Sequence, residues 1–254
     1  MSFRAVNSVQ SAFVAVPAKA MIWRTIFPFA AVVLALASPP AYAEAQVPVA
    51  LEVDLLEVHF GQGGDHLLFD STLTLGEGAN TALVKMTGGS ETRTAFDDFE
   101  LQGLYARALS EKTALHFGVR RDFRAGSDLT YGVAGLVAEV LPGLEVEHYL
   151  FASQRGDVTG AGQAILNIGL APRLVFEPRI AIGWSAQDVI AEALSSGFTD
   201  LEASIRLRRE LSGTINAYAG VVHERLLGGT RANAVLAGDP AIVTRAVLGI
   251  GASF

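Results

Sequence analysis

The chain predicts an all-β fold, a transmembrane antiparallel up-and-down β-barrel of about twelve strands that follows a cleaved signal peptide. Three observations predict it. Apolar and polar residues alternate with period two in segment after segment. Short and longer connections between those segments take turns. The chain also opens on an export leader and ends on an aromatic residue. The alternation is plainest from Phe198 to Leu211, where Leu201, Ala203, Ile205, Leu207 and Leu211 oppose Asp200, Glu202, Ser204, Arg206, Arg208 and Glu210. A helical period would mix those two sets, whereas a strand sends alternate side chains to opposite faces.

The leader is read from its parts. Trp23-Arg24 is a basic flank, Ile26 to Ala37 is mostly apolar, Pro39-Pro40 breaks the run, and Ala41-Tyr42-Ala43 is a small-x-small cleavage site. The apolar run is too short to span a bilayer as a helix. Residues 1–43 are therefore expected to form an N-terminal extension and signal peptide, 44–50 a short periplasmic lead, and 51–254 the barrel. Either Met1 or Met21 serves as initiator on this reading. Export through the Sec pathway follows, with the outer membrane of a Gram-negative cell as destination. The chain has no cysteine, which in an exported protein excludes disulfides and thiolate metal sites. Its formal charge is −7, and loss of Arg4, Lys19 and Arg24 with no acid takes the mature chain to −10. An acidic balance argues against nucleic acid as a partner.

The strands follow in order. Leu51 to Phe60 and His66 to Leu75 flank a glycine-rich turn, and Gly76 to Asn80 leads tightly into Thr81 to Thr87. After the polar loop Gly88 to Thr94 come Phe99 to Leu109, the short turn Ser110-Glu111-Lys112, and Thr113 to Phe123. Leu129 to Val140 and Leu144 to Ser153 share the turn at Pro142-Gly143. Val158 to Leu170 and Arg173 to Trp184 share a sharp turn at Ala171-Pro172. A longer loop, about Gln187 to Gly197, precedes Phe198 to Leu211, and Ser212-Gly213 turns the chain into Thr214 to Arg225. The longest loop, Leu226 to Pro240, leads to the last strand, Ile242 to Phe254. Short turns at one end and long loops at the other are the pattern of an outer-membrane barrel, and an even strand number leaves both termini at the short-turn, periplasmic end. Parity alone would also suit a soluble sandwich with its apolar face inward. Export, loop rhythm and the alternating final strand ending in Phe254 favour the barrel, whose closure leaves no edge unpaired in lipid.

The wording of several strands resembles a known family. FELQGLYARALSEKTALHFGVRRDF (Phe99 to Phe123), LEVEHYLFASQRGD (Leu144 to Asp157), LAPRLVFEPRIAI (Leu170 to Ile182), GFTDLEASIRLRREL (Gly197 to Leu211) and AYAGVVHERLLGGT (Ala217 to Thr230) resemble the copper resistance protein B family, as does GGD at Gly63 to Asp65. The resemblance covers roughly Leu51 to Phe254. It implies an outer-membrane barrel of a copper-tolerance system that binds or passes copper ions at the envelope without catalysis. Its implied partners are outer-membrane lipid, the barrel assembly machinery and a periplasmic copper-binding protein of the same system. Members often carry a Met- and His-rich segment ahead of the barrel. Here only EAQVPVAL stands between Glu44 and Leu51, and Met86 is the one methionine after the leader, so a thioether site for Cu(I) is largely lacking. A structural barrel or narrow porin without copper function is the alternative.

Candidate metal ligands are few. His59, His66 and Asp65 converge on the first hairpin as a site for Cu(II) or another divalent ion, or else are polar residues at a solvated rim. His148 and His223 share parity with lipid-facing neighbours and are expected in the interfacial girdle. Parity sends Glu100, Gln102, His116, Arg120, Asp122, Glu145, Glu147, Glu177, Arg179, Glu202, Arg206, Arg208, Glu210 and Glu224 to the lumen. Such a wall either neutralises itself through interstrand pairs or forms a charged path for cations. Enzymatic readings fare poorly. No histidine is followed two residues on by serine, Asp97-Asp98 point to opposite faces, and the glycines at Gly61 to Gly64 and Gly228-Gly229 read as turns rather than as a strand-to-helix phosphate loop.

Overall fold

The computed structural model describes residues 47–62, 65–90, 98–124 and 129–254. The leader, its cleavage site, Gly63, Gly64 and Asp97 lie outside the described residues. Each of the twelve alternating segments is a strand. They are β1 (Val49–Gly61), β2 (His66–Leu75), β3 (Asn80–Ser90), β4 (Asp98–Ser110), β5 (Thr113–Arg124), β6 (Leu129–Leu141), β7 (Leu144–Ser153), β8 (Val158–Leu166) with β9 (Ile168–Ala171), β10 (Leu174–Ser185), β11 (Gly197–Glu210), β12 (Ile215–Leu226) and β13 (Ile242–Ser253). β8 and β9 are halves of one stave, interrupted at Asn167 and both paired with β10. Every consecutive pair is antiparallel, β10 pairs with β11, and β13 pairs with β1, so the sheet closes on itself as a twelve-stave barrel.

The faces are those of a membrane barrel. Phe117, Val119, Leu150, Ile180, Ile205 and Leu248 point outward and are exposed on the surface of the isolated chain. Glu57, Asp70, Gln102, Arg120, Glu177 and Arg206 point inward and are buried. The barrel is thus apolar outside and largely polar inside, the arrangement that lipid demands and water would penalise. Among the described residues no helix is long and apolar enough to cross a membrane; the crossing elements are strands of up to 14 residues.

Two local features shape the interior. A bulge at Asp54 inserts one residue into β1, with Val53 opposite Ser71 and Leu55 opposite Asp70. It turns both Asp54 and Leu55 toward the lumen, where strict alternation would admit only one. Glycines make room for lumen tyrosines as well. Tyr149 lies over Gly135, its partner across β6 and β7, and a Cβ built there would stand 2.3 Å from the ring.

The long-loop end is more ordered than the sequence reading expected. The β10–β11 connection holds a 3-10 turn at Ile190–Glu192 and a bridge between Val189 and Leu194, both buried. The Leu226 to Pro240 stretch, expected to be a loop, carries helix α1 (Gly228–Ala237). Gly228-Gly229 therefore does lie between a strand and a helix, which corrects the reading of these residues as a plain turn. The reason is local: Ala232, Ala234, Val235, Leu236 and Ala237 belong to a helix-forming run whose flanking glycines mask it. Gly238, at φ 87°, ends the helix in the left-handed conformation. Thr230 and Asn233 of α1 bond Ser195 of the β10–β11 loop at 2.9 and 3.0 Å, joining the two.

Candidate functional site: the charged lumen

The lumen wall is built by parity, and ion pairs cross it. Asp54, freed by its bulge, accepts bonds from Arg179 Nη1 and Nη2 at 2.8 and 3.0 Å and from Arg208 Nη2 at 3.0 Å. The same two arginines meet again at Glu177, each through Nε at 2.7 Å. β1 is not a sheet neighbour of β10 or β11, so these bonds span the lumen. Three residues further along β1, Glu57 takes Arg206 at 2.9 and 3.1 Å, and Arg206 Nη1 donates to Ser204 at 2.8 Å. Toward the long loops, Arg245 meets Glu224 at 2.6 Å. Burying charge is costly unless each group finds partners, and here acids and guanidiniums hold one another.

The opposite wall carries aromatic rings among its charges. Arg120 bonds Asp122 at 2.6 and 2.8 Å and Glu100 at 2.9 Å, while its guanidinium lies 5.0 Å from the Tyr131 ring and 4.7 Å from that of Phe151. Gln102 donates to Glu100 at 2.5 Å. Lys85 stands 3.8 Å from Glu147 across four staves and 5.1 Å from the Tyr149 ring, and Gln163 donates to Glu147 at 3.0 Å. His116 pairs with Tyr149 Oη at 2.5 Å. Tyr131 Oη donates to Glu192, which fastens the β10–β11 loop over this wall.

The histidines of the first hairpin come together as expected, in a different setting. His59 and His66 are direct cross-strand partners. Both are buried, at 2% and 7% exposure, so they do not sit at a solvated rim. His59 Nε2 lies 2.8 Å from Glu57 Oε1, and its Nδ1 is buried with no hydrogen-bond partner. Asp65 is half-buried just ahead of β2. Among the described residues no group of three or more His, Asp or Glu side chains is placed to hold a metal ion together.

The remaining expected residues divide by position. Glu100, His116, Arg120, Asp122, Glu147, Glu177, Arg179, Arg206, Arg208 and Glu224 all face the enclosed lumen. Glu145 is half-buried opposite Glu139, and Glu202 half-buried opposite Glu224. Glu210 is a correction. It lies exposed at the short-turn end, 3.9 Å from the exposed Arg173, because β11 has by then run out of the enclosed barrel. His148 and His223 point outward as expected, the first stacked on Trp184 at 6.2 Å and the second 2.8 Å from Thr244. Parity reasoning missed Asp54 and Glu57, which the bulge puts on one wall, and Lys85 on β3 and Arg245 on β13.

The fold and sequence both have known counterparts. The KdgM porin superposes with a TM-score of 0.50 at 12% identity, over 81% of this chain and 99% of that one, a likeness of fold. A copper resistance protein B homolog of Pseudomonas syringae pv. tomato is 25% identical over 177 residues, 70% of this chain and 60% of its own length. Copper resistance protein B of Escherichia coli is 32% identical over 138 residues, 52% of this chain and 44% of its own length. The matches thus span about half of these curated relatives. The family model described as copper resistance protein B precursor matches residues 48–254, the stretch that forms every stave of the barrel. A polar-cored, apolar-walled barrel matched over its whole length by that family is an outer-membrane protein, and the chain belongs to the copper resistance protein B family.

Proposed function

We propose that this barrel binds copper ions inside its lumen as the outer-membrane member of a copper-tolerance system, without catalysis. The observation that carries the reading is the His59–His66 pair, two buried imidazoles set opposite each other on neighbouring strands. Imidazole nitrogen suits copper, whereas oxygen-seeking ions such as Ca²⁺ and Mg²⁺ favour carboxylates and carbonyls. Asp65, adjacent in the chain to His66 and half-buried, is the oxygen ligand this reading takes from the same hairpin. Met86, the one methionine after residue 43, sits on β3 beside Lys85 and so on the opposite face from that lumen residue. Nitrogen and oxygen donors therefore make Cu(II) the better fit. The non-catalytic reading is supported by His59 engaging Glu57 and His116 engaging Tyr149, neither set against a serine. Lipid, the barrel assembly machinery and a periplasmic copper-binding protein are the partners this role calls for.

A second reading, a structural barrel or narrow porin without copper function, draws on the ion pairs that cross the lumen between Asp54, Arg179 and Arg208. Calorimetric titration of the purified barrel with Cu(II) separates the two. The copper reading expects saturable heat that His59→Ala and His66→Ala remove. No heat of binding, together with unchanged copper tolerance of cells lacking the protein, leaves the second reading standing.

A further inference from the structure

Within the first hairpin the two nitrogens of His59 are treated very differently. Nε2 lies 2.8 Å from Glu57 Oε1. That carboxylate has no freedom to turn away, because Arg206 holds it by Nη2 at 2.9 Å and by Nε at 3.1 Å. Arg206 is itself tied to Ser204 at 2.8 Å. Glu57 and His59 are two residues apart on β1, so they share a face and the contact costs no distortion of the strand. A carboxylate can only accept, and so Nε2 carries the hydrogen. In the neutral ring Nδ1 then keeps its lone pair, and it is buried without a hydrogen-bond partner.

A buried acceptor with nothing to accept from is normally costly, and native interiors keep few of them. Here it lies on the residue paired in register with His66. Directly opposed residues of an antiparallel pair have Cβ atoms about 4.5–5.5 Å apart, close enough for two imidazoles to share one ion. Metal-bound histidines usually give their other ring N–H to a carboxylate, which fixes the tautomer and raises the basicity of the donor nitrogen. The Arg206–Glu57–His59 chain has that form.

We propose that Glu57 is a positioning residue that, braced by Arg206, fixes the Nε2–H tautomer of His59 and presents Nδ1, together with His66, as the two nitrogen donors to Cu(II). The inference rests on the copper-binding reading given above. It adds the donor atom, the residue that selects it and the reason a two-histidine site stands beside a buried ion pair. Solvent oxygen completes the tetragonal nitrogen and oxygen set that Cu(II) favours.

The test uses the mature full-length barrel in detergent, titrated with Cu(II) sulfate and followed by calorimetry and by electron paramagnetic resonance. Folding is checked for each variant by heat-dependent gel migration. The wild type is expected to take one ion with a two-nitrogen hyperfine pattern, and His59→Ala and His66→Ala each to lose it. Glu57→Ala strands Arg206, so it is paired with Arg206→Met to keep the interior uncharged. This double variant is expected to fold and to bind Cu(II) about 10–100-fold more weakly, with an altered hyperfine pattern. Glu57→Gln keeps an acceptor for Nε2–H and should lose less. If the histidine variants lose the ion while the Glu57 variants keep wild-type affinity and spectrum, Glu57 is structural only and the inference is overturned. If the histidine variants bind as the wild type does, the copper site itself is misplaced. Should the double variant fail to fold, Glu57→Gln decides alone, since an unchanged affinity and spectrum there also overturn the proposal.

Discussion

Asp54 and Arg179 stand 125 residues apart in the chain and meet across the lumen through two hydrogen bonds of 2.8 and 3.0 Å. A third bond, from Arg208 to the same carboxylate, makes Asp54 an acid that serves two guanidiniums from two strands it does not adjoin. Removing it leaves two buried cations sharing Glu177. Asp54→Ala is therefore expected to cost about 3–5 kcal/mol, the penalty for breaking a buried pair from one side. Urea unfolding from lipid vesicles, followed by tryptophan fluorescence, measures it. A loss below about 1 kcal/mol would mean that water already solvates the two arginines.

The outward face of β11 supports a second prediction. Ile205 lies between Pro178 of β10 and Val221 of β12 and is 48% exposed on the bare barrel, a surface that lipid covers. Ile205→Arg should destabilise the barrel by about 2–4 kcal/mol if it sits near the bilayer midplane. The same unfolding assay reads this directly, and a negligible effect would show that the position lies at the membrane interface.

Much of this architecture was legible in the residues, and the exceptions have physical causes. Parity alone placed Arg206, Arg208, Glu147 and His116 on the lumen wall, because a regular strand keeps its faces over its whole length. It failed at β1, where Asp54 and Glu57 are three apart and would fall on opposite faces. The bulge puts both inside, and no glycine or proline in VDLLE announces it. Parity also says which way a side chain points, not how far the enclosed barrel extends, and so Glu210 was carried past the end of the lumen. The cross-lumen partners were equally hidden, since Asp54 to Arg208 and Lys85 to Glu147 join strands whose distance is set by closure. Helix α1 was obscured for a different reason: the eight residues between Gly229 and Gly238 look like a loop until they pack through Thr230.

Crowding beneath Tyr149 yields a third prediction. Gly135 has no side chain where the ring of Tyr149 lies, and a Cβ there would come within 2.3 Å of it. Gly135→Ala must push the ring away, and with it the hydroxyl that pairs with His116. Overpacking of this kind costs about 1–3 kcal/mol. The loss is expected to fall when Tyr149→Ala is added, since the second change empties the space. Additive losses in that double-mutant cycle would show that the ring yields without strain.

The loop clasp gives a fourth. Tyr131 on β6 donates to Glu192 in the 3-10 turn, while Val189 and Leu194 of the same loop are buried. Tyr131→Phe removes the donor and leaves the ring in place against Arg120. The barrel should stay folded, while the loop opens more often and is cut faster by a protease that accepts sites near Ile190. An unchanged cleavage rate would assign the holding of the loop to Val189 and Leu194 alone.

The seam between the first and last strands supports the final prediction. Phe254 donates its backbone N–H to Leu51 at 2.8 Å, and Leu51 donates back to Phe254 at 3.0 Å. The side chain of Phe254 points away from the lumen and is 68% exposed, so deletion costs little packing inside the barrel. Its loss removes two hydrogen bonds from the pairing that closes β13 on β1, at the one place where closure joins residues from opposite ends of the barrel sequence. In lipid an unpaired backbone group costs several kcal/mol, which makes the seam the step most sensitive to shortening. Deletion of Phe254 is expected to slow or reduce assembly into membranes, measured as the fraction of chain that becomes heat-modifiable with time. Assembly at the wild-type rate and yield would mean that the pairs from Glu52 with Ser253 to Gly61 with Arg245 close the barrel unaided.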